Sequence, residues 1–109
     1  MKDGRAFRIV LSTAGSEEEG TLLAKSLVER KLCACVNMVP KIRSFYRWEG
    51  AVQDDAEVLL IIKTTQEKLQ ALTDLLAEIH SYDVPEVLAI EVDQGSASYL
   101  EWLAESCAD

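Results

Sequence analysis

A run of aromatic residues in the middle of the chain constrains the fold most. Three of the seven aromatic residues, Phe45, Tyr46 and Trp48, fall within four positions. These residue types prefer strands, and each buries more than about 100 Å². In a strand, Tyr46 and Trp48 share one face and Phe45 takes the other. Because a small domain has only one core, we predict that a second copy of the chain covers the other face, with these three residues at the interface.

Length and charge narrow the class of protein. At 109 residues we expect one domain spanning residues 1–109. The formal net charge of −8 argues against nucleic acid and anionic membrane surfaces as partners. The longest apolar run, Val58–Ile62, is far shorter than the roughly 20 residues of a membrane span. The N-terminus leads into a strand-like segment without a signal peptide, so the sequence predicts a cytoplasmic protein.

Three cysteines, Cys33, Cys35 and Cys107, form an odd set that is unlike a disulfide scaffold. In a strand, Cys33 and Cys35 lie about 6.6 Å apart, near the upper limit for a disulfide. We therefore expect free thiols. Two thiols on one strand face are also a candidate site for a thiophilic ion such as copper(I), although buried strand cysteines without a metal are commoner.

Periodicity predicts four strands and three helices. The strands are expected at Arg5–Thr13, with Phe7, Ile9 and Leu11 on one face, at Leu32–Val39 continuing past a bulge at Pro40 through Ile42–Trp48, at Glu57–Thr65, and at Val87–Val92. The helices are expected from a capping box at Ser16 and Glu19 to about Lys31, from Thr65 or Gln66 to about His80, and after Ser96 or Ser98. Turn residues at Trp48–Ala51 and Gln53–Asp55 are expected to close a hairpin.

The order βαββαβ followed by a short C-terminal helix predicts an α+β fold, a ferredoxin-like sandwich with two helices on one face of an antiparallel sheet. The helix-free face of such a domain meets water when the domain stands alone, so its strands should alternate apolar and polar residues. Ile9–Leu11, Val58–Ile62 and Val87–Ile90 do not alternate. We infer that partner copies cover the second face of the sheet.

Five segments resemble, in register, the CutA divalent-cation-tolerance family: Leu32–Asn37, Tyr46–Gly50, Val58–Thr64, His80–Glu86 and Tyr99–Leu103. The likeness covers about residues 7–106. It implies a cytoplasmic homotrimer with sheets inward and helices outward, similar in architecture to the nitrogen-regulatory PII proteins. It also implies a role in tolerance of divalent cations, with copper bound by some members, and a signalling role is an alternative at family level.

The resemblance also implies where copper would bind. In bacterial members that bind copper, a cysteine ends the first strand and histidines end the second helix. This chain has Ser12 at the first position, and it keeps His80 but carries Ile79 where another histidine can occur. Copper selects soft or nitrogen ligands, so these residues make a poor site. His80 is either a weak ligand or a helix-terminal histidine bonded to carbonyls. No cofactor is obligatory, and copper or another divalent cation is the candidate.

Lys63, Tyr82 and Glu86 form a further candidate site. Lys63 ends the third strand, and Tyr82 and Glu86 flank the start of the fourth, so all three are predicted to approach one end of the sheet. The resemblance implies that this region lines clefts between subunits, where a small anionic or polar ligand binds. The alternative is a structural salt bridge between Lys63 and Glu86.

Catalysis has little support in the sequence. His80 is the single histidine, and no Ser/His/Asp or Cys/His signature is present. The loop Thr13–Ser16 lacks the Gly/Lys pattern that cradles phosphate, and acids follow it where acylphosphatases of the same strand order need an arginine. We expect a protein that is not an enzyme. Two functions stay open: metal homeostasis with weak copper binding, or a trimeric sensor or scaffold with a small ligand in its clefts.

Overall fold

The computed structural model describes all 109 residues. Six strands are present: β1 (Lys2–Asp3), β2 (Phe7–Ala14), β3 (Cys35–Trp48), β4 (Ala51–Thr65), β5 (Leu88–Glu91) and β6 (Gln94–Gly95). Three helices accompany them: α1 (Glu17–Glu29), α2 (Leu69–Ile79), which a 3-10 turn at Gln66–Lys68 precedes, and α3 (Ala97–Cys107). None of these helices combines the length and apolar character needed to cross a membrane.

The main sheet has the strand order β3-β4-β2-β5, and every neighbouring pair is antiparallel. This is the ferredoxin-like order, so the predicted α+β fold class is confirmed. The core lies between this sheet and helices α1 and α2, with buried side chains at Val10, Leu23, Leu60, Ile62 and Leu76. A second, two-stranded sheet pairs β1, near the N-terminus, with β6, just before α3. The sequence analysis does not predict it.

The two faces of the sheet are both apolar. On β2 the core face carries Val10, whereas Ile9 and Leu11 lie on the helix-free face, where Leu11 is paired with Leu88 and Ile9 with Ile90. Leu88 is 57% exposed and Ile90 is 50% exposed. Their exposure fits the absence of alternation in the sequence, because the helices cover only one face.

The β3–β4 hairpin is longer than predicted. Its turn is formed by Glu49 and Gly50, with φ of 50° and 80°, the left-handed values of a tight two-residue turn. β4 therefore begins at Ala51 and not at Glu57, and the expected turn at Gln53–Asp55 is strand. The bulge predicted at Pro40 is confirmed, since the register shifts between Val39 and Ile42.

The outer half of this hairpin stands apart from the rest of the sheet. The pairing of β2 with β4 ends at Ala14 and Val58, so Ala51–Glu57 pairs only with β3. The segment Ile42–Trp48 is thus paired along one edge with its own chain and open along the other. It lies on the edge strand of the sheet, where another strand can add.

The second predicted strand begins later than expected. After α1, Lys31 takes a left-handed conformation with φ of 57°, and Leu32–Ala34 stay outside the strand that begins at Cys35. Cys33 therefore lies in the core, where it is 1% exposed. The expectation that Cys33 and Cys35 share one strand face is wrong, because the chain is still turning into the sheet at Cys33.

Candidate functional site

His80 ends α2 and occupies the junction between that helix and the end of β2. Its Nε2 lies 2.7 Å from the carbonyl oxygen of Thr13, and its Nδ1 accepts a hydrogen bond of 3.0 Å from the backbone N–H of Tyr82. Nε2 must carry the proton, since a carbonyl can only accept. Both ring nitrogens of the buried imidazole are therefore engaged with backbone, Nε2 with a carbonyl as the structural alternative expects and Nδ1 with an N–H.

Glu19 links the start of α1 to the same junction. Ser16 caps the helix, its hydroxyl accepting from the Glu19 N–H at 3.1 Å. The Glu19 carboxylate accepts from the backbone N–H groups of Ser81 at 2.8 Å and Gly15 at 3.3 Å, and lies 3.9 Å from Nδ1 of His80. Burial alone would raise the pKa of Glu19, but these hydrogen bonds and His80 lower it.

The predicted capping box is therefore only half formed. The Ser16 half is present, but the Glu19 carboxylate bonds Gly15 and Ser81 and does not return to Ser16. Sequence reasoning missed the link to Ser81. Glu19 is half-buried whereas Glu17 and Glu18 are exposed, and nothing in the sequence signals this difference.

The candidate copper ligands do not converge. Cys33 is in the core, where burial raises the pKa of its thiol to about 12. Cys35 lies on the helix-free face, paired with Lys63. The Ser12 hydroxyl is fully buried and has no hydrogen-bond partner. No group of three or more His, Cys, Asp or Glu side chains is arranged to hold a metal ion. The donors present do not fit a copper site.

A cavity of about 640 Å³ lies between the hairpin and the loop after His80. Tyr82 anchors it, because its hydroxyl donates to Oε2 of Glu57 at 2.7 Å and its ring packs against His80 with centroids 4.6 Å apart. The cavity joins residues predicted for two different roles, ligand binding and assembly. The lining residues are Thr13, Ser44, Phe45, Tyr46, Trp48, Glu57, Tyr82, Asp83, Val84 and Glu86.

Lys63 is not part of this cavity. It contacts Asn37 on the helix-free face and lies six residues along β4 from Glu57, about 20 Å away. The expectation that Lys63 meets Tyr82 and Glu86 is wrong, and no salt bridge joins Lys63 to Glu86. β4 and β5 both run antiparallel to β2 and so run parallel to each other. The end of one therefore lies at the end of the other, not at its start.

All the charged side chains that line the cavity are acidic. Its lining includes three carboxylates, Glu57, Asp83 and Glu86, and no lysine, arginine or histidine. Burial, together with the hydrogen bond to Glu57, raises the pKa of Tyr82 well above its usual range. The hydrogen bond to Asp55 raises the pKa of Tyr46. Both phenols are therefore neutral donors at physiological pH, and the cavity is acidic and aromatic.

Known proteins share this fold and much of the sequence. The model of the family described as "CutA1 divalent ion tolerance protein" matches residues 8–106. The chain belongs to this family. The resemblance found in the sequence is confirmed.

Individual relatives agree. The chloroplastic protein CutA of Arabidopsis thaliana is 53% identical over 90% of this chain and 54% of its own length, so the chain spans about half of that relative. The divalent-cation tolerance protein CutA of Thermus thermophilus is 45% identical over 90% of this chain and 95% of its own. The solved structure of CutA from Synechococcus elongatus superposes with a TM-score of 0.94 at 37% identity, covering 98% of this chain and 95% of that one.

The relatives carry names from more than one compartment. One is called chloroplastic, and a solved structure from Archaeoglobus fulgidus, 38% identical with a TM-score of 0.91 over 94% of this chain and 99% of that one, is called a periplasmic divalent cation tolerance protein. The cytoplasmic location of this chain stays a prediction.

Proposed function

We propose that this member of the divalent ion tolerance family acts as a homotrimeric binding protein, with a small ligand in the cavity between the hairpin and the loop after His80. The observation that carries the proposal is the meeting of Trp48, Glu57, Tyr82 and Glu86 around one cavity. Two of the segments by which the chain resembles its family, Tyr46–Gly50 and His80–Glu86, thus contribute to a single site. The proposal is for a binding protein and not an enzyme.

Assembly is supported by the apolar helix-free face. Leu11, Ile61 and Leu88 lie side by side there, as do Ile9 and Ile90 on neighbouring strands. An exposed apolar surface of this kind marks an interaction site. The free edge of β3 offers backbone groups for strand addition by a neighbour. The family resemblance implies that three copies close the assembly.

The mass of the particle tests this part. Sedimentation equilibrium at micromolar protein should give about 36 kDa, three times the 12.1 kDa of the chain. A replacement on the helix-free face, Ile90→Asp, should shift the mass toward the monomer, because it places a charge in an apolar interface. The matched control is Leu22→Asp on α1, an exposed leucine on the helix side. A stable wild-type monomer would contradict the proposal.

Copper binding is expected to be weak. His80 has both ring nitrogens hydrogen-bonded, so a metal ion would have to displace a backbone partner. The Cys33 thiol is buried and protonated. We expect dissociation constants of about micromolar or weaker, since one imidazole and a hydroxyl are poor ligands for copper.

Calorimetric titration of reduced protein with copper(I), copper(II) and zinc tests the metal part. The variants are His80→Ala and the pair Cys33→Ala and Cys35→Ala, each compared with wild type. Submicromolar copper binding that disappears in His80→Ala would show that the protein is a copper binder and that the cavity is not its main site.

A further inference from the structure

The lining of the cavity described above selects the charge of its ligand. Glu57, Asp83 and Glu86 supply carboxylates, and no basic residue lines the cavity. Arg43 lies outside the lining, 5.1 Å from the centroid of the Phe45 ring, and its guanidinium is paired with Asp54. The whole chain also carries a net charge of −8. An anion would meet repulsion both at long range and inside the cavity. The anionic ligand that the sequence analysis allowed is therefore disfavoured, and a cation is favoured.

The same lining argues against a metal ion as that cation. Magnesium and calcium need about six oxygen ligands converging at 2.0–2.6 Å. No group of three or more acidic, histidine or cysteine side chains in the structure is arranged in this way. One oxygen of Glu57 already accepts from Tyr82. The carboxylates are among the residues that line a space of about 640 Å³, which suits a molecule and not an ion.

We propose that this cavity binds a small organic cation, an ammonium or guanidinium group on a compact apolar body. The proposal rests on the proposed function, which makes this cavity the binding site. The aromatic residues Tyr46 and Trp48, which share one face of β3, line it together with Tyr82 beside the carboxylates. The Phe45 ring is not counted, since Arg43 already lies over it. Aromatic faces attract such cations, and rings grouped with acids are the arrangement by which proteins recognise quaternary ammonium groups.

Glu57 is the residue expected to set the charge preference. It lies on β4 where the hairpin leaves β2, and the Tyr82 hydroxyl fixes it by bonding Oε2. Its other oxygen, Oε1, is left for the ligand. Tyr82 is held in turn by His80, whose Nδ1 accepts its backbone N–H. A carboxylate fixed in this way pairs with a cation without losing much side-chain freedom on binding.

The cation has two sources. It is either a free small molecule or the side chain of an arginine or lysine on another copy of this chain. Arg47 is a candidate for the second source, since it lies on the exposed hairpin and forms no salt bridge within its own chain. The chemistry in the cavity is the same for both sources, and binding experiments separate them.

Choline and its neutral isostere 3,3-dimethyl-1-butanol provide the direct test. Both are titrated calorimetrically into the full chain at low salt, with succinate as the anionic probe. We expect choline to bind at least about tenfold more tightly than the isostere, and succinate not to bind. Glu57→Gln keeps a hydrogen-bond acceptor for Tyr82 but removes the charge. It should therefore weaken the binding of choline about tenfold and leave the affinity for the isostere unchanged. The control is Glu67→Gln, an exposed carboxylate outside the cavity.

Each other outcome has a defined meaning. Four results would overturn the proposal. They are equal affinity for choline and the isostere, tighter binding of succinate than of choline, displacement of choline by magnesium, and no choline binding in either wild type or Arg47→Met. Choline binding in wild type identifies a free ligand as the source, whereas binding only in Arg47→Met identifies the arginine of another copy. These outcomes can be told apart from a failure of the proposed function itself. That failure would appear as a monomeric mass or as tight copper binding that depends on His80.

Discussion

Replacing His80 tests whether this histidine is structural or a metal ligand. His80→Ala removes the hydrogen bonds to the Thr13 carbonyl and from the Tyr82 N–H, and the ring contact with Tyr82. Each hydrogen bond contributes about 1 kcal/mol and the aromatic contact about 0.5–1.5 kcal/mol. We therefore expect a loss of about 2–4 kcal/mol in the free energy of unfolding. The cost falls at the upper end because the imidazole is buried and its removal leaves space.

Urea unfolding followed by circular dichroism measures this loss. Protein concentration has to be the same for all samples, because assembly and folding are linked in an oligomer. His80→Gln is the matched variant, since its amide N–H can donate to Thr13 while nothing accepts from Tyr82. We expect it to recover about half of the loss.

The metal role makes the opposite prediction for the same variants. A ligand that is not structural can be removed with little effect on stability but with loss of copper binding. If His80→Ala unfolds within about 0.5 kcal/mol of wild type and its copper titration is abolished, the structural interpretation of His80 is refuted.

Three further predictions concern other residues. Glu19→Gln should lower the melting temperature more near pH 7 than near pH 3. Although burial opposes it, hydrogen bonding holds the folded-state pKa of Glu19 below its ordinary 4.5, so its stabilisation is complete above 4.5 and is lost as the pH falls through the lowered value. An equal effect at both pH values would contradict this. If a neighbour buries the Trp48 side chain, Trp48→Ala should lower the free energy of unfolding by about 3–5 kcal/mol per subunit and reduce the oligomer mass. Trp102→Ala on α3 is the control, and an unchanged mass and melting temperature of Trp48→Ala would exclude that burial. Ser12→Ala should raise the free energy of unfolding by about 1 kcal/mol, because it removes a buried hydroxyl without a partner, and a lower melting temperature would show that the hydroxyl is bonded.

The strand order and the helix stripes could be predicted because their signals are local. Leu69, Leu72, Leu76 and Ile79 recur at helical spacing, and Ser16 and Ser96 are the caps that the helices use. The first part of β4 gives no such local signal, so the sequence does not predict it. The centre of this segment, Gln53–Asp55, is polar and acidic with little strand preference of its own, and it is strand because it pairs residue by residue with Ser44–Tyr46 opposite.

The candidate site needed information that is not local. Lys63 was placed beside Glu86 because both are near strand ends in the sequence, whereas their separation depends on β4 and β5 running in the same direction. Cys33 was placed in a strand because its neighbours are small and apolar, which a chain entering a buried corner also requires. The left-handed Lys31 that shifts the start of β3 has no signal in its residue type, since glycine or asparagine is usual there.

The proposed assembly and the proposed ligand site share residues, and this decides which variants can separate the two roles. Trp48 lines the cavity and yet is 60% exposed in a single chain, so a neighbour that contacts it would also contribute to the wall of the cavity. A loss of ligand on Trp48→Ala would then follow from either role. Glu57 is different, because its hydrogen bond to Tyr82 lies within one chain and Gln preserves the acceptor. A ligand effect at Glu57 with an unchanged oligomer mass therefore belongs to the cavity alone.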